Sequence, residues 1–210
     1  MSLRLIGYRH SVYTWAARMA LAELGCAAQL EEIDPFDPTQ AEALRAHHPF
    51  GRVPVLWDGA FRIYETAAIL AYLIPDTGDP KRVARARQAT GIIDTYGYWP
   101  LVRQVFAHGR FRPAFGLEAE SREVAAGLAS APPVLAALDE IAADGFVLDG
   151  VDVGAVDCHL APMIGYFCEV PAGKALLEEA PALSRWFISV STRDSFRSTR
   201  PLLPEPEAVP

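Results

Sequence analysis

Cysteine is scarce in this sequence: 210 residues contain three, Cys26, Cys158 and Cys168. Their odd number and wide spacing suggest neither a disulfide framework nor a zinc or other metal site, and reduced thiols fit the cytoplasm. Also missing is any run of about 18 uninterrupted apolar residues, and Met1 to His10 holds no apolar stretch of the secretory kind, so a cytoplasmic chain without a membrane span is expected. Positive charge is short as well. Lys and Arg number 19 against 26 Asp and Glu, a formal net charge of −7, which argues against broad electrostatic binding to nucleic acid. An anionic ligand would have to be held by a local set of donors. No internal repeat is found. What remains is ordinary for a folded globule: 51% hydrophobic and 21% charged residues, enough to bury a sizeable core.

The texture changes near residue 76. Residues 3–74 alternate short apolar strands with helical stretches, whereas 81–193 show helical periodicity almost throughout. Between them, Pro75-Asp76-Thr77-Gly78-Asp79-Pro80 concentrates breakers and ends in an N-cap followed by proline at the first helical position. The reading is a domain over 1–75, a linker over 76–80, a second domain over 81–196, and a Pro-rich tail over 197–210 expected to be extended or disordered.

In the first domain, residues 3–7 read as a strand, 12–24 as a helix closed by Gly25, and 29–33 as a second strand. A short helix is expected after Pro38, then strands at 53–57 and 62–64 around an Asp58-Gly59 turn, and a helix over 65–73. This βαβαββα order is that of an α/β thioredoxin-like domain, a mixed sheet covered on both faces. The second domain is expected to be an all-α bundle with helices near 81–108, 121–143, 155–169, 174–179 and 181–192.

Three segments carry chemistry. Pro49-Phe50-Gly51-Arg52-Val53-Pro54-Val55-Leu56 places proline near the start of an apolar strand, where a ladder donor is lost. A cis Val53-Pro54 bond would explain this and leave the Val53 backbone free to pair with an extended peptide ligand; an edge strand with a trans proline is the other reading. Eleven residues on, Glu65-Thr66 opens a helix. The bare amides and dipole there attract a carboxylate, Thr66 adds a hydroxyl, and Glu65 can accept from an ammonium group. Together these suit the two ends of an amino acid, although plain capping would use the same residues. The third segment follows the first strand, Tyr8-Arg9-His10-Ser11-Val12-Tyr13-Thr14, where Ser11 begins a helix and can cap it. The S-x-x-T sequence there lacks the nucleophilic cysteine of a disulfide oxidoreductase.

With these segments in order, the chain resembles the cytosolic glutathione transferases over nearly its whole length. The Phe50-Gly51-Arg52-Val53-Pro54 segment and the Glu65-Thr66 pair, followed by Ile69 and Tyr72-Leu73, look like that family's glutathione site. Gly154-Ala155-Val156-Asp157 resembles the helix start of its second domain, with Gly154 where serine or threonine is usual; Asp157 is read as structural. The resemblance, of the bacterial and serine- or cysteine-type kind, implies a homodimeric enzyme that binds glutathione and conjugates its thiolate to a small apolar electrophile. Ser11 falls at the thiolate-stabilising position, with Thr14 and Arg18 at familiar polar positions and with Tyr8 and Tyr13 as alternatives. Val53, Pro54, Glu65 and Thr66 fall at the glutathione positions, and Arg52 would face the glycine carboxylate or solvent. A transferase-like protein retired to interaction or regulation, or a glutathione-dependent isomerase, dehalogenase or peroxidase, are the other implied possibilities.

Other residues invite plainer readings. His47-His48 are expected to be surface or loop residues, because adjacent residues rarely point to one centre and no carboxylate lies at ligand spacing. Tyr96, Tyr98, Trp99, Arg103 and Phe106 lie on the first long helix of the second domain. Of these, Trp99, Arg103 and Phe106 share one face, which lines either a substrate pocket or the bundle core. Phe50 is either packed locally or, by the resemblance, a key inserted into a second subunit.

Overall fold

A computed structural model describes residues 2–204; the end of the expected tail, 205–210, lies outside the described residues. Strand β1 (Leu3–Gly7) runs parallel to β2 (Ala28–Glu32) through helix α1 (Val12–Glu23) and antiparallel to β3 (Val55–Asp58), which turns back into β4 (Phe61–Tyr64). The sheet order is β2-β1-β3-β4. Alternation along the strands sends side chains to opposite faces. Leu3, Leu5 and Leu56 meet Ala17 and Leu21 of α1 and Ile69 of α3 (Thr66–Leu73). On the other face, Ile6, Ile33 and Val55 cover Leu44 of α2 (Ala41–His47). This is the thioredoxin-like mixed sheet with helices on both faces.

Among the boundaries that differ from the sequence reading are the start of the third strand and the hairpin turn. The third strand starts at Val55, after a cis Val53-Pro54 bond. The hairpin turn is Gly59-Ala60, with Asp58 paired to Phe61 and Gly59 at φ +57°. At the end of β1 the chain is pressed against α1, since a Cβ on Gly7 would lie 2.4 Å from the Thr14 side chain. Thr14 is fully buried there, and its hydroxyl accepts from the Tyr8 amide at 3.3 Å. Thr14 therefore shapes the turn that carries Tyr8 and Ser11.

Helix α4 (Pro80–Ile92) begins at Asp79, whose carboxylate accepts from the Lys81 amide at 2.9 Å, with Pro80 at the first helical position. The rod then continues in wider turns over Ile93–Gly97 and Trp99–Phe111 and ends in the short α5 (Arg112–Ala114). In these turns the amide reaches five residues back, as from Tyr98 to Ile93 and from Arg112 to Ala107. The plain α-helix expected to residue 108 is thus replaced. Pro100 lies within this stretch, and a proline lacks the amide an α-helical ladder needs.

Helix α6 (Ser121–Asp144) is long and apolar enough to cross a membrane by length and composition. One of its faces is a stripe of buried residues at helical spacing, Gly127, Ala131, Val134, Leu135, Leu138 and Ile141. That face packs on the wide-turn stretch, closely enough that a Cβ on Gly127 would lie 2.8 Å from the Pro100 carbonyl. Helix α7 (Ala155–Phe167) is buried along its whole length, and α1 and α3 both pack on it. Helices α8 (Pro171–Glu178), α9 (Pro181–Ser191) and α10 (Asp194–Thr199) complete the bundle.

Helix α10 crosses the expected start of the tail at 197. Its residues are held by distant partners: the Trp15 indole donates to the Thr199 hydroxyl at 3.1 Å, and Phe196 packs on the Trp15 ring at 4.8 Å. Just before it, Arg193 grips Glu23 at the end of α1 through two hydrogen bonds of 2.6 and 2.8 Å. The chain after residue 192 thus ties the bundle to the first domain.

Candidate active site

A cleft of about 620 Å³ opens between the sheet domain and the wide-turn helix. Three first-domain segments form one bank: the turn before α1 with Tyr8, Ser11 and Tyr13, the loop with Arg52, Val53 and Pro54, and the start of α3 with Glu65 and Thr66. Trp99, Arg103 and Phe106 face them from the helical side. Every residue read at a thiolate, glutathione or substrate position therefore lines this one cleft. Thr14 and Arg18, read only as familiar polar residues, do not, and Arg18 lies half-buried with Glu32 acting on its charge.

Ser11 caps α1 with extended backbone, φ −72° and ψ 125°, and its Oγ accepts from the Thr14 amide at 3.3 Å. Accepting that bond leaves the hydroxyl proton free to donate into the cleft. The two tyrosines are placed differently. Burial, with Asp34 and Glu32 nearby, pushes the Tyr8 phenol above its ordinary pKa. Burial and Asp94 push Tyr13 far higher, and its hydroxyl donates to Asp94 Oδ1 at 3.5 Å.

Neither backbone group of Val53 has a backbone hydrogen bond among the described residues, because the ladder to β1 starts at Val55. Glu65 occupies the cap of α3 at φ +68° and ψ 118°, a strained conformation for a residue with a side chain. Its carboxylate caps nothing. The first bond of the helix runs from the Ile69 amide to the Glu65 carbonyl, so the amides ahead of it stay unpaired within the helix. Thr66 and Ala67, which carry two of those amides, line the cleft. This end of α3 is a positive, donor-rich corner.

His48 lies in the loop after α2, not at the surface. It is 2% exposed, lines the cleft, and packs on Tyr64 with ring centroids 4.7 Å apart. Its Nδ1 accepts from the Phe50 amide at 3.1 Å, so the ring proton belongs on Nε2, which lies 3.8 Å from Glu65 Oε1. Burial lowers its pKa, with Glu65 opposing and Arg52 and Arg62 adding to the fall. His47 turns instead against Trp57 at 6.1 Å. The one local signal for His48 is its position at the end of α2, directly before Pro49-Phe50-Gly51. His10 and Asp94 were also missed. His10 lies among Tyr8, Phe111 and Phe115, and burial followed by Arg9 lowers its pKa.

On the helical side, Trp99 is 59% exposed and open to the cleft. Phe106 is 3% exposed and stacks on Tyr166 at 3.8 Å, so it belongs mainly to the core and shows the cleft only an edge. Tyr98 is raised by burial, with the Arg103 and Arg52 guanidiniums opposing. Asp157 lies away from the cleft. Its carboxylate accepts from the Gly154 amide at 2.9 Å and the Trp186 indole at 2.7 Å, a purely internal use.

A thioredoxin-like domain joined across a cleft to an all-helical bundle defines a two-domain class, α/β followed by all-α. Residues 10–74 match the family model "Glutathione S-transferase, N-terminal domain" and residues 121–188 match "Glutathione S-transferase, C-terminal domain". The sequence is 24% identical to glutathione S-transferase F7 of Arabidopsis thaliana, over 92% of this chain and 96% of that one. It is 27% identical to a glutathione S-transferase of Hypomyces subiculosus, over 93% and 96%. Among solved structures, the theta class glutathione S-transferase of Xanthomonas axonopodis pv. citri, with glutathione bound, superposes with a TM-score of 0.75 at 25% identity, covering 95% of this chain and 97% of that one. The chain belongs to the cytosolic glutathione transferase superfamily.

Proposed function

We propose that this protein holds glutathione in the cleft and adds its thiolate to small apolar electrophiles. The observation that carries the reading is the convergence of three unsatisfied polar elements on one cleft: the free Val53 backbone, the uncapped start of α3 at Glu65-Thr66, and the Ser11 hydroxyl. The cysteinyl part of glutathione pairs with Val53 in strand fashion. Its γ-glutamyl end binds the α3 amides, Thr66 and Glu65, and Arg52 serves the glycine carboxylate.

A free thiol ionises near pH ~8.5, and lowering that by about 2 units requires roughly 2.7 kcal/mol of thiolate stabilisation. A hydrogen bond to a charge contributes roughly 1.5 to 3 kcal/mol and a helix start about 0.3 to 1 kcal/mol. Ser11, at the first turn of α1, combines the two. Tyr13 is a poorer donor because its proton is already directed at Asp94, and Tyr8 is held in its weakly acidic form by burial and two carboxylates. Ser11 thus donates to sulfur and need not act as a nucleophile.

Calorimetric titration tests the binding step, and no heat with millimolar glutathione would overturn it. For the chemical step, Ser11→Ala should lower kcat/KM with an aryl halide at least about tenfold, or about 1.4 kcal/mol, and raise the pH at which bound thiol ionises. An unchanged rate would transfer the role to Tyr8 or Tyr13. A folded protein that binds glutathione without turning over electrophiles or hydroperoxides would be an interaction protein instead.

A cytoplasmic homodimer fits this reading. Phe50 is 71% exposed, and a separate groove of about 510 Å³ beside Tyr96, Trp99, Pro100 and Pro133 could receive it from a second copy. Phe50→Ala should then shift the sedimentation profile toward monomer.

A further inference from the structure

Asp94, on the first wide turn of the long helix, is one of two acidic residues lining the cleft among the described residues, and Glu65 is the other. Two groups approach Oδ1: the Tyr13 hydroxyl, which donates to it at 3.5 Å, and His159 Nε2, which lies 3.1 Å away without hydrogen-bond geometry. His159 comes from α7, is 1% exposed, and its Nε2 has no hydrogen-bond partner among the described residues. The second carboxylate oxygen has no partner among the described residues, and no guanidinium or ammonium pairs with Asp94. Most other carboxylates that approach a cation here meet an arginine, as Glu23 and Glu32 do.

Arg52 and Arg103 both act on Tyr98, and Arg52 also acts on Tyr13, yet neither guanidinium pairs with Asp94. A positively charged group on a bound molecule that reaches Asp94 meets an unpaired carboxylate oxygen beside aromatic rings that exclude part of the water.

Resting on the transferase reading above, we propose that Asp94 is a specificity-determining residue of the electrophile half of the cleft. With Tyr13 bonded to Oδ1 and the His159 ring against it, its free oxygen selects second substrates that carry a cationic or N–H-donating group. A buried histidine that served packing alone would leave ligand choice unaffected, which separates this role from a structural one.

The probes are three thioethers of glutathione: S-benzylglutathione and its 4-aminomethyl and 4-carboxy derivatives, titrated by calorimetry near neutral pH. The unmodified protein should bind the aminomethyl compound at least about tenfold tighter than the carboxy compound. Asp94→Asn should reduce that ratio about tenfold and leave S-benzylglutathione within about threefold of the parent. His159→Leu, which removes the polar ring beside Oδ1, should move the ratio the same way by about threefold, and His159→Gln, which puts a polar group back there, should recover part of it. Absence of a cationic preference in the unmodified protein, or an unchanged ratio in folded Asp94→Asn, overturns the role of Asp94. If S-benzylglutathione itself fails to bind, the transferase reading falls and this proposal with it.

Discussion

Two helices in this molecule begin beside an acidic residue and use it in opposite ways. At the start of α7, Asp157 is 2% exposed and both its oxygens accept internal hydrogen bonds, from the Gly154 amide and the Trp186 indole. At the start of α3, Glu65 has a side chain 62% exposed, caps no amide, and holds a backbone conformation at φ +68°. Strain of that kind costs about 1 to 3 kcal/mol and persists only where the surroundings over-determine it. The first helix start satisfies its polar groups within the protein, and the second leaves them open to the cleft. Loss of the first acid should therefore show in stability, and loss of the second in binding.

The largest expected effect comes from Asp157→Ala. It strands the buried Trp186 indole and the half-buried Gly154 amide, and an unpaired donor costs about 1 to 3 kcal/mol where burial is full. Stability should fall by about 3 kcal/mol and the melting temperature by about 6 to 12 °C for a chain of this size. Glutathione affinity of the folded protein, read by calorimetry well below the transition, should stay within about twofold. A matching loss of affinity would break the comparison. Glu65→Gly should do the reverse. Glycine accepts φ +68° without strain, so thermal stability should hold or rise by about 1 kcal/mol. Glutathione affinity should drop about tenfold or more as the acceptor for its ammonium disappears. A variant that binds like the parent removes Glu65 from the site.

The contrast is partly legible in the sequence. Period-two strands and Gly/Pro punctuation act over a few residues, so β1 agrees with its expected limits and β2 is displaced by one residue. Ser11, Val53, Glu65 and Thr66 can be picked out by type and order because each sits at a local break, a helix start or a proline-marked strand end. Long-range partners are not readable this way. Helix α10 depends on Trp15, 184 residues away, and a reading confined to neighbours makes its residues a tail. The burial of His48 depends on Tyr64, and the Asp94–His159 pair joins two helices whose packing no local pattern states.

Asp157 also predicts a pH dependence opposite in sign to that of the paired surface acids. Burial outweighs its hydrogen bonds and pushes its carboxyl up to about 6 from an ordinary 3.8. Between those values the folded state binds more protons than the unfolded one, so this residue's contribution to stability declines as pH rises. Glu23 and Glu32 are held below their ordinary values, chiefly by Arg193 and Arg9, and lose their contribution only as pH falls through those lowered values. Comparison with Asp157→Asn cancels such shared terms. The stability difference, parent minus variant, should increase by about 1 kcal/mol between neutrality and pH ~5, measured by urea unfolding at both. A difference that shrinks on acidification would mean that Asp157 stays ionised in the folded protein.

The smallest effect tests whether the start of α7 is a closed unit. Gly154 has extended backbone, φ −103° and ψ −173°, that any residue adopts, and an added Cβ would meet only Asp157 Oδ2, at 3.6 Å. Glycine supplies no hydroxyl to accept from the Asp157 amide, so one arm of the capping box is missing. Gly154→Ser should add it and gain a few tenths to about 1 kcal/mol, part of that from restricting the unfolded chain. Glutathione affinity should not move, because Gly154 does not line the cleft. If the two arms act together, the gain should shrink in an Asp157→Ala background, giving a coupling of about 0.5 kcal/mol or more in a double-mutant cycle. Full additivity would show that serine acts only through the unfolded chain, and that the single Asp157 arm already closes this helix start without help.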